Sequence, residues 1–271
     1  MSGFTFLTRE QLFDWDDELD IMKKRGRKAA TTDFSVVTGC LSGCHVDNDC
    51  SLEERTSGYW MKTSYTWGKD EVGRVRVIDD RGKADNIDVS EQYGARPALE
   101  FSSLFNIPTN GEGVKKAADG VQEVEYGYYP QRATSKGMQE ILEVRYRNNL
   151  LLKTKNIYTT INYNKHNHLS SILNPNQEYE YNGKRYVRIE ADLRKLKKGG
   201  DTVTLSNGEI YRNGDNVWIE VEPVKWLVDE KTEIMFTEKV IFVGGRFNKK
   251  GIYLTKDFDK TEIKKFNKYF K

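Results

Sequence analysis

The spacing of apolar residues near the start of the chain predicts a short strand followed by a helix. Residues 4–7 have the apolar content of a strand, and over residues 9–24 large apolar side chains recur every three or four positions, as on one face of a helix. These apolar residues are Leu12, Trp15, Leu19 and Met22. Thr8 and Gln11 have the spacing of a capping box, and Gly26 is a favourable stop.

Three Asn-Gly pairs in the second half of the chain predict β-hairpins, because Asn-Gly tolerates the positive φ that two-residue turns require. The pairs are Asn182-Gly183, Asn207-Gly208 and Asn213-Gly214. Strands are predicted at residues 59–61, 72–78, 95–101, 121–126, 178–181, 185–189, 202–205, 209–212, 217–221, 225–228, 234–237 and 240–243, and further helices at 135–147 and 260–269. The pattern favours an α+β fold, a hairpin-rich mixed β scaffold with about three helices.

Composition and charge narrow the classes of function. The chain has 271 residues, of which 12% are aromatic, and its 43 Lys and Arg against 41 Asp and Glu leave a net charge of only +2. Nucleic-acid binders concentrate a larger positive excess, so no nucleic-acid partner is predicted. No apolar run approaches the roughly 20 residues of a membrane span, and no signal peptide is evident. We therefore expect a protein made in the cytoplasm, without membrane insertion.

The candidate chemistry is sparse, and no catalytic set, metal site or cofactor is predicted. Cys40, Cys44 and Cys50 lie close together, but their spacings differ from the short hairpin spacing of zinc knuckles. Reduced cysteines are favoured, while a disulfide or a metal site stays open. Arg96, before Pro97, is interpreted as a structural arginine that pairs with a carboxylate. The core is expected to include Trp60, Trp218 and Trp226.

Several blocks of the sequence resemble a domain family of unknown function that is common in bacteria, prophages and phages. In that family the blocks read W-W-L-R-S, V-x-x-x-G, G-V-R-P-A-L, F-G-x-Y-P-Q, E-P-I-x-W-x-V-L and a short helix. The matching residues here are 58–63, 75–82, 94–99, 125–131, 221–228 and 259–270. The ending of the 94–99 block is also similar to that of the formylglycine-generating-enzyme fold, which would imply a C-type-lectin-like architecture.

The blocks stand in a different order from that of the family, which predicts a circular permutation. The block at 94–99 usually comes last, whereas here it precedes the block at 125–131. The chain is accordingly interpreted as one domain over 1–271, whose halves 1–105 and 121–271 are joined by a surface connection at 106–120. Termini that lie close together make such a rearrangement physically easy.

The resemblance and the lack of a catalytic set favour a non-catalytic recognition or assembly module of a phage or mobile genetic element. It would act as a virion component made in the host cytoplasm, or as an adhesin-like binder of a protein or glycan. The predicted ligand-binding residues are Trp67, Tyr65, Lys69 and Arg55, because aromatic and charged residues on loops are common binding anchors. The alternatives are a formylglycine-generating-type cysteine oxidoreductase and a cytoplasmic regulator that binds a host protein.

The one-domain interpretation predicts that neither half folds alone. Fragments 1–105 and 121–271, expressed separately, are expected to be insoluble or molten, since each would lack part of a shared core. Calorimetry and near-UV circular dichroism test this against the whole chain. Two independent cooperative transitions from the separate fragments would contradict it.

Overall fold

The computed structural model describes residues 5–13, 18–40, 55–64, 74–88, 93–102, 107–154, 170–173, 178–193 and 202–243. The helices are α1 (Arg9–Phe13), α2 (Asp20–Arg25), α3 (Asp33–Val37) and α4 (Lys136–Thr154). The strands are β1 (Ala29–Ala30), β2 (Thr56–Ser57), β3 (Tyr59–Ser64), β4 (Arg74–Ile78), β5 (Ala84–Asp88), β6 (Gly94–Ala95), β7 (Ala98–Glu100), β8 (Lys115–Lys116), β9 (Gln122–Ala133), β10 (Ser170–Leu173), β11 (Glu178–Tyr181), β12 (Lys184–Glu190), β13 (Thr202–Thr204), β14 (Ile210–Arg212), β15 (Asn216–Asp229), β16 (Ile234–Thr237) and β17 (Phe242–Val243). The predicted α+β class is confirmed, with four helices in the described residues where about three were expected. A C-type-lectin-like arrangement stays a prediction.

The long strand β15 is the centre of an eight-stranded sheet. β9 pairs with β15 along one edge, while β12 and β16 pair with different parts of the other edge. β11 and β10 continue the sheet beyond β12, β7 continues it beyond β16, and β8 pairs with β9. Trp218 and Trp226 of β15 are fully buried, as their strand pattern predicts. Trp218 packs against α4, and Trp226 packs against residues of β3 and β4.

A five-stranded sheet, in the order β17-β6-β3-β4-β5, packs against the larger one. One hydrophobic cluster contains Trp60 and Val77 from the smaller sheet together with Val124, Trp226 and Val228 from the larger. The cluster therefore draws on residues from both sides of the 106–120 connection. The circular permutation itself stays a prediction, because residues 244–271, which include the predicted last helix, lie outside the described residues.

The segment predicted as one strand at 95–101 is instead divided between the two sheets. β6 belongs to the five-stranded sheet and β7 to the eight-stranded sheet, with Arg96 and Pro97 between them. Because proline has no N–H to donate to a β-ladder, the strand pairing changes at Pro97, although the apolar pattern of the sequence continues through it.

Arg96 is buried between aromatic rings from both sheets. Its guanidinium carbon lies 4.6 Å from the ring centroid of Phe236 and 5.4 Å from that of Tyr59, and its Nε donates to the carbonyl of Thr237 at 2.7 Å. The structural role is as predicted, but this hydrogen-bond acceptor is a main-chain oxygen and not the expected carboxylate. Burial lowers the pKa of the Arg96 guanidinium, and the neighbouring Tyr59 hydroxyl opposes that shift.

Two of the three predicted Asn-Gly hairpins are confirmed. Asn182 and Gly183 both have positive φ, 51° and 75°, in the two-residue turn that joins β11 to β12. The turn at Asn207-Gly208 joins β13 to β14. The prediction is wrong at Asn213-Gly214, because β14 and β15 pair with other strands and this turn carries the chain from one sheet to another.

The helix predicted over residues 9–24 is divided into α1 and α2. Leu19, before α2, has ψ 133°, which is incompatible with a continuous helix. A tertiary contact accounts for the start of α2 at Asp20. The backbone N–H of Asp20 donates to Oδ2 of buried Asp229 at 3.1 Å. The capping box is confirmed at α1, where Thr8 and Gln11 exchange side-chain to backbone hydrogen bonds of 2.7 and 3.3 Å.

α4 covers one face of the large sheet through a charged and aromatic contact. Glu143 accepts hydrogen bonds from Arg188 at 2.9 and 3.0 Å and from Nε1 of Trp218 at 3.1 Å. These bonds, chiefly that from Arg188, lower the pKa of Glu143 from 4.5 to about 2. The carboxylate thus ties the helix to β12 and β15.

Replacement of Arg96 by alanine is expected to destabilise the protein by more than about 2 kcal/mol, since it removes packing between the sheets and leaves a buried carbonyl without a donor. Chemical denaturation measures the loss. Arg81→Ala, in an exposed turn with 76% of the side chain accessible, is the control and should have little effect. Equal effects of the two substitutions would contradict the role of Arg96.

The pH dependence of stability should reveal the Glu143 contact. Because its pKa is lowered by folding, the carboxylate stabilises the fold fully above about pH 4.5, and that contribution declines as pH falls towards 2. Glu143→Gln should be less stable at pH 7 and lose less stability over this pH interval. Parallel pH profiles for the variant and the wild type would show that Glu143 is not responsible.

Candidate functional site

Of the four predicted ligand-binding residues, Arg55 alone lies within the described residues. Trp67, Tyr65 and Lys69 lie in 65–73, outside them. The Arg55 side chain donates from Nη1 to the carbonyl of Thr204. Burial lowers the pKa of Arg55, whereas the negative charge of Asp33 raises it. The ligand-binding role stays a prediction, and the observed contacts connect the segment before β2 with β13.

Cys40 has the environment of a structural thiol. It is fully buried and lies 2.8 Å from the hydroxyl oxygen of Ser57. Burial raises the pKa of Cys40 to about 12, so the thiol is protonated at neutral pH. Cys44 and Cys50 belong to residues 41–54, outside the described residues.

A cleft of about 450 Å³ lies between α2, the turn before β9 and the turn after β15. Asp20 and Lys24 of α2 line it together with Asp229, Glu230 and Lys231. It therefore mixes both signs of charge, unlike the mainly apolar pockets that bury small ligands. Within the described ranges, no group of three or more His, Cys, Asp and Glu side chains could hold a metal ion. None of α1–α4 has the length and apolar character of a membrane span.

Tyr128 is an exposed aromatic side chain on the long strand β9, with 39% of its surface accessible. It pairs with Pro223 of β15, and the register of the two strands shifts on both sides of this position, between Glu220 and Val221 and between Pro223 and Lys225. Such β-bulges redirect side chains and are frequent beside binding sites.

The backbone around Tyr128 is held by side-chain hydrogen bonds. Gln131 donates from Nε2 to the carbonyls of Glu222 at 3.2 Å and Pro223 at 2.6 Å. Asn110 accepts from the N–H of Gly127 at 2.9 Å and donates to its carbonyl at 3.2 Å. Gly127 has φ 71°, which a residue with a side chain adopts only at a cost. The irregular backbone is thus satisfied locally, which fixes the position of the neighbouring tyrosine.

Arg185 of β12 stacks on Tyr128, with its guanidinium carbon 4.7 Å from the ring centroid. Nη1 of Arg185 also lies 3.5 Å from Oε2 of Glu178, whose side chain is only 1% exposed. No described residue donates a hydrogen bond to that oxygen, so the contact with Arg185 is ionic and does not use the N–H donors of the guanidinium. We call the group formed by Tyr128, Pro223, Arg185 and Glu178 the Tyr128 patch.

Several other buried or partly buried arginines in the described part of the chain use their donors on the protein itself. Carboxylates accept hydrogen bonds from Arg25, Arg27 and Arg188. Main-chain carbonyls accept hydrogen bonds from Arg27, Arg55 and Arg96. The side chain of Arg185 is 32% exposed and has no such acceptor among the described residues. The Tyr128 patch therefore offers an aromatic face and a fixed, available guanidinium at the surface.

The Tyr128 patch was not among the binding residues predicted from the sequence. A glycine within a strand pattern followed by two tyrosines and a proline, as at 127–130, is a signal for a bulge with exposed aromatic residues. No local signal marks Arg185, because its contact with Tyr128 crosses the intervening strand β15.

Comparisons of the chain with protein-family models, with curated proteins and with solved structures find no significant match.

Proposed function

We propose that the protein is a non-catalytic recognition or assembly module of a phage or mobile genetic element. It would be made in the host cytoplasm and serve as a virion component or as an adhesin-like binder. The sequence blocks that resemble the phage and prophage family support the context. The Tyr128 patch supports the activity, and it is the single observation that carries the proposal.

The composition and support of the Tyr128 patch are those of a binding surface. Tyrosine and arginine are enriched among the residues that contribute most to protein interfaces, because they combine a large contact area with polar groups. Here Tyr128 and Arg185 lie on neighbouring parts of one sheet, held by the bulged backbone and by buried Glu178. A rigid surface of this kind loses little conformational entropy when it binds.

The described cysteine gives no support to an oxidoreductase. A redox-active cysteine requires a thiol pKa below its usual value and access to the substrate. Cys40 has neither property, since it is fully buried and its pKa is raised to about 12. Cys44 and Cys50 lie outside the described residues, so the oxidoreductase alternative stays a prediction.

Replacement of Tyr128 by alanine is expected to weaken partner binding by more than about 1 kcal/mol and to leave thermal stability nearly unchanged. Proteins from purified phage particles and a glycan array are the probes, with binding measured by surface plasmon resonance and array fluorescence. Ile210→Ala, which truncates an apolar residue 67% exposed on β14, is the matched control.

Absence of the protein from particles, combined with no binding to either probe, would contradict the proposal. Binding that responds equally to Tyr128→Ala and Ile210→Ala would show that the Tyr128 patch is not the binding surface.

A further inference from the structure

We propose that the Tyr128 patch binds an acidic segment of a protein partner and that Arg185 receives one of its side-chain carboxylates. This inference rests on the recognition function proposed above and specifies the chemistry of the partner. It follows from the donors that the protein leaves available, from the way they are held, and from the side chains around them.

The donors of Arg185 are available to a ligand. A guanidinium carries five N–H donors in a planar fork that matches a carboxylate. The Arg185 side chain makes no hydrogen bond to any described residue, and it retains 32% of its accessible surface. A carboxylate that approaches from solvent can therefore form charge-assisted hydrogen bonds without displacing a protein acceptor.

The guanidinium is also positioned before a ligand binds. Glu178, buried at the start of β11, holds one side of it at 3.5 Å, and the Tyr128 ring lies 4.7 Å from its central carbon. These two contacts restrict a long, flexible side chain, so less conformational entropy is lost on binding. The Glu178 side chain is only 1% exposed, whereas that of Arg185 is 32% exposed. A ligand that approaches from solvent therefore meets the guanidinium and not the carboxylate.

The neighbouring polar side chains favour a peptide over a sugar. A sugar requires several free acceptors and donors for its hydroxyl groups. Glu222 is already paired with Arg132 at 2.6 Å, Glu220 with Lys184 at 2.6 Å, and the Gln131 amide is bonded to main-chain carbonyls. The remaining surface of the patch is apolar, provided by the Tyr128 ring and the exposed Pro223 beside it. Such a surface suits an apolar side chain next to an acidic one.

Fluorescence anisotropy with a labelled hexaglutamate peptide tests the proposal at near-physiological salt. Hexaglutamate should bind the whole protein at least about tenfold more tightly than hexaglutamine, as expected for charge-assisted hydrogen bonds. Arg185→Met should reduce this affinity by about tenfold or more. Arg145→Met is the matched control, because Arg145 also stacks on a tyrosine, Tyr181, at 4.5 Å, and its removal should change the affinity less than about twofold.

Removal of Arg185 alone leaves buried Glu178 without its cation, so the double variant Glu178→Gln/Arg185→Met is measured beside it, with thermal melting of both. Loss of hexaglutamate binding in a folded double variant supports the proposal. Hexaglutamate binding that is unchanged by the loss of Arg185, or no hexaglutamate binding at all, overturns it. Arg185-dependent binding of oligogalacturonate without binding of hexaglutamate would assign an acidic sugar instead.

The two proposals fail in distinguishable ways. If hexaglutamate does not bind but Tyr128→Ala still weakens binding to particle proteins or glycans, recognition by the Tyr128 patch stands and the acidic partner is wrong. If neither assay detects binding, the recognition function is wrong as well.

Discussion

A buried cation held by rings and a main-chain carbonyl is the constraint on which the packing of the two main sheets depends. Arg96 lies where the chain leaves one sheet and begins the next, and the rings on either side of it, Tyr59 and Phe236, belong to different sheets. Withdrawal of a guanidinium from water is costly unless fixed dipoles replace the hydration shell. Here the carbonyl of Thr237 and the faces of the two rings replace the hydration shell of the guanidinium. All three can contact Arg96 only when the two sheets are at the right separation, so this side chain fixes how the sheets pack together.

The strands that carry the candidate site are connected through successive strand pairs to the junction at Arg96, which makes the site rigid. β7 pairs with β16, β16 pairs with β15, and β15 holds β9 and β12, which carry Tyr128 and Arg185. A site built on strands is positioned more accurately than one built on loops alone. The bulges on β9 and β15 add the local irregularity that exposes an aromatic ring, and their backbone groups are satisfied by Gln131 and Asn110.

The parts of the fold that depend on local chemistry could be predicted from the sequence, and those that depend on distant contacts could not. Asn182-Gly183 specifies its turn by backbone preference alone, and the buried tryptophans follow from strand periodicity. The separate start of α2 after Leu19 depends on a carboxylate of β15, which is far away in the sequence. The contact between Arg185 and Tyr128 likewise requires β15 between two strands that are far apart in sequence, so the available guanidinium had no sequence signal.

The pairing of β7 with β16 has a consequence for how the chain is made. Ala98 lies opposite Phe236, so β7 leaves the ribosome about 140 residues before its partner, which at typical synthesis rates is a delay on the order of ten seconds. During that interval the edge of β7 that pairs with β16 has no native partner. Non-local strand pairing also slows the search for the folded state. Biosynthesis, more than the stability of the finished molecule, is therefore the stage at which a holding chaperone would matter to this protein.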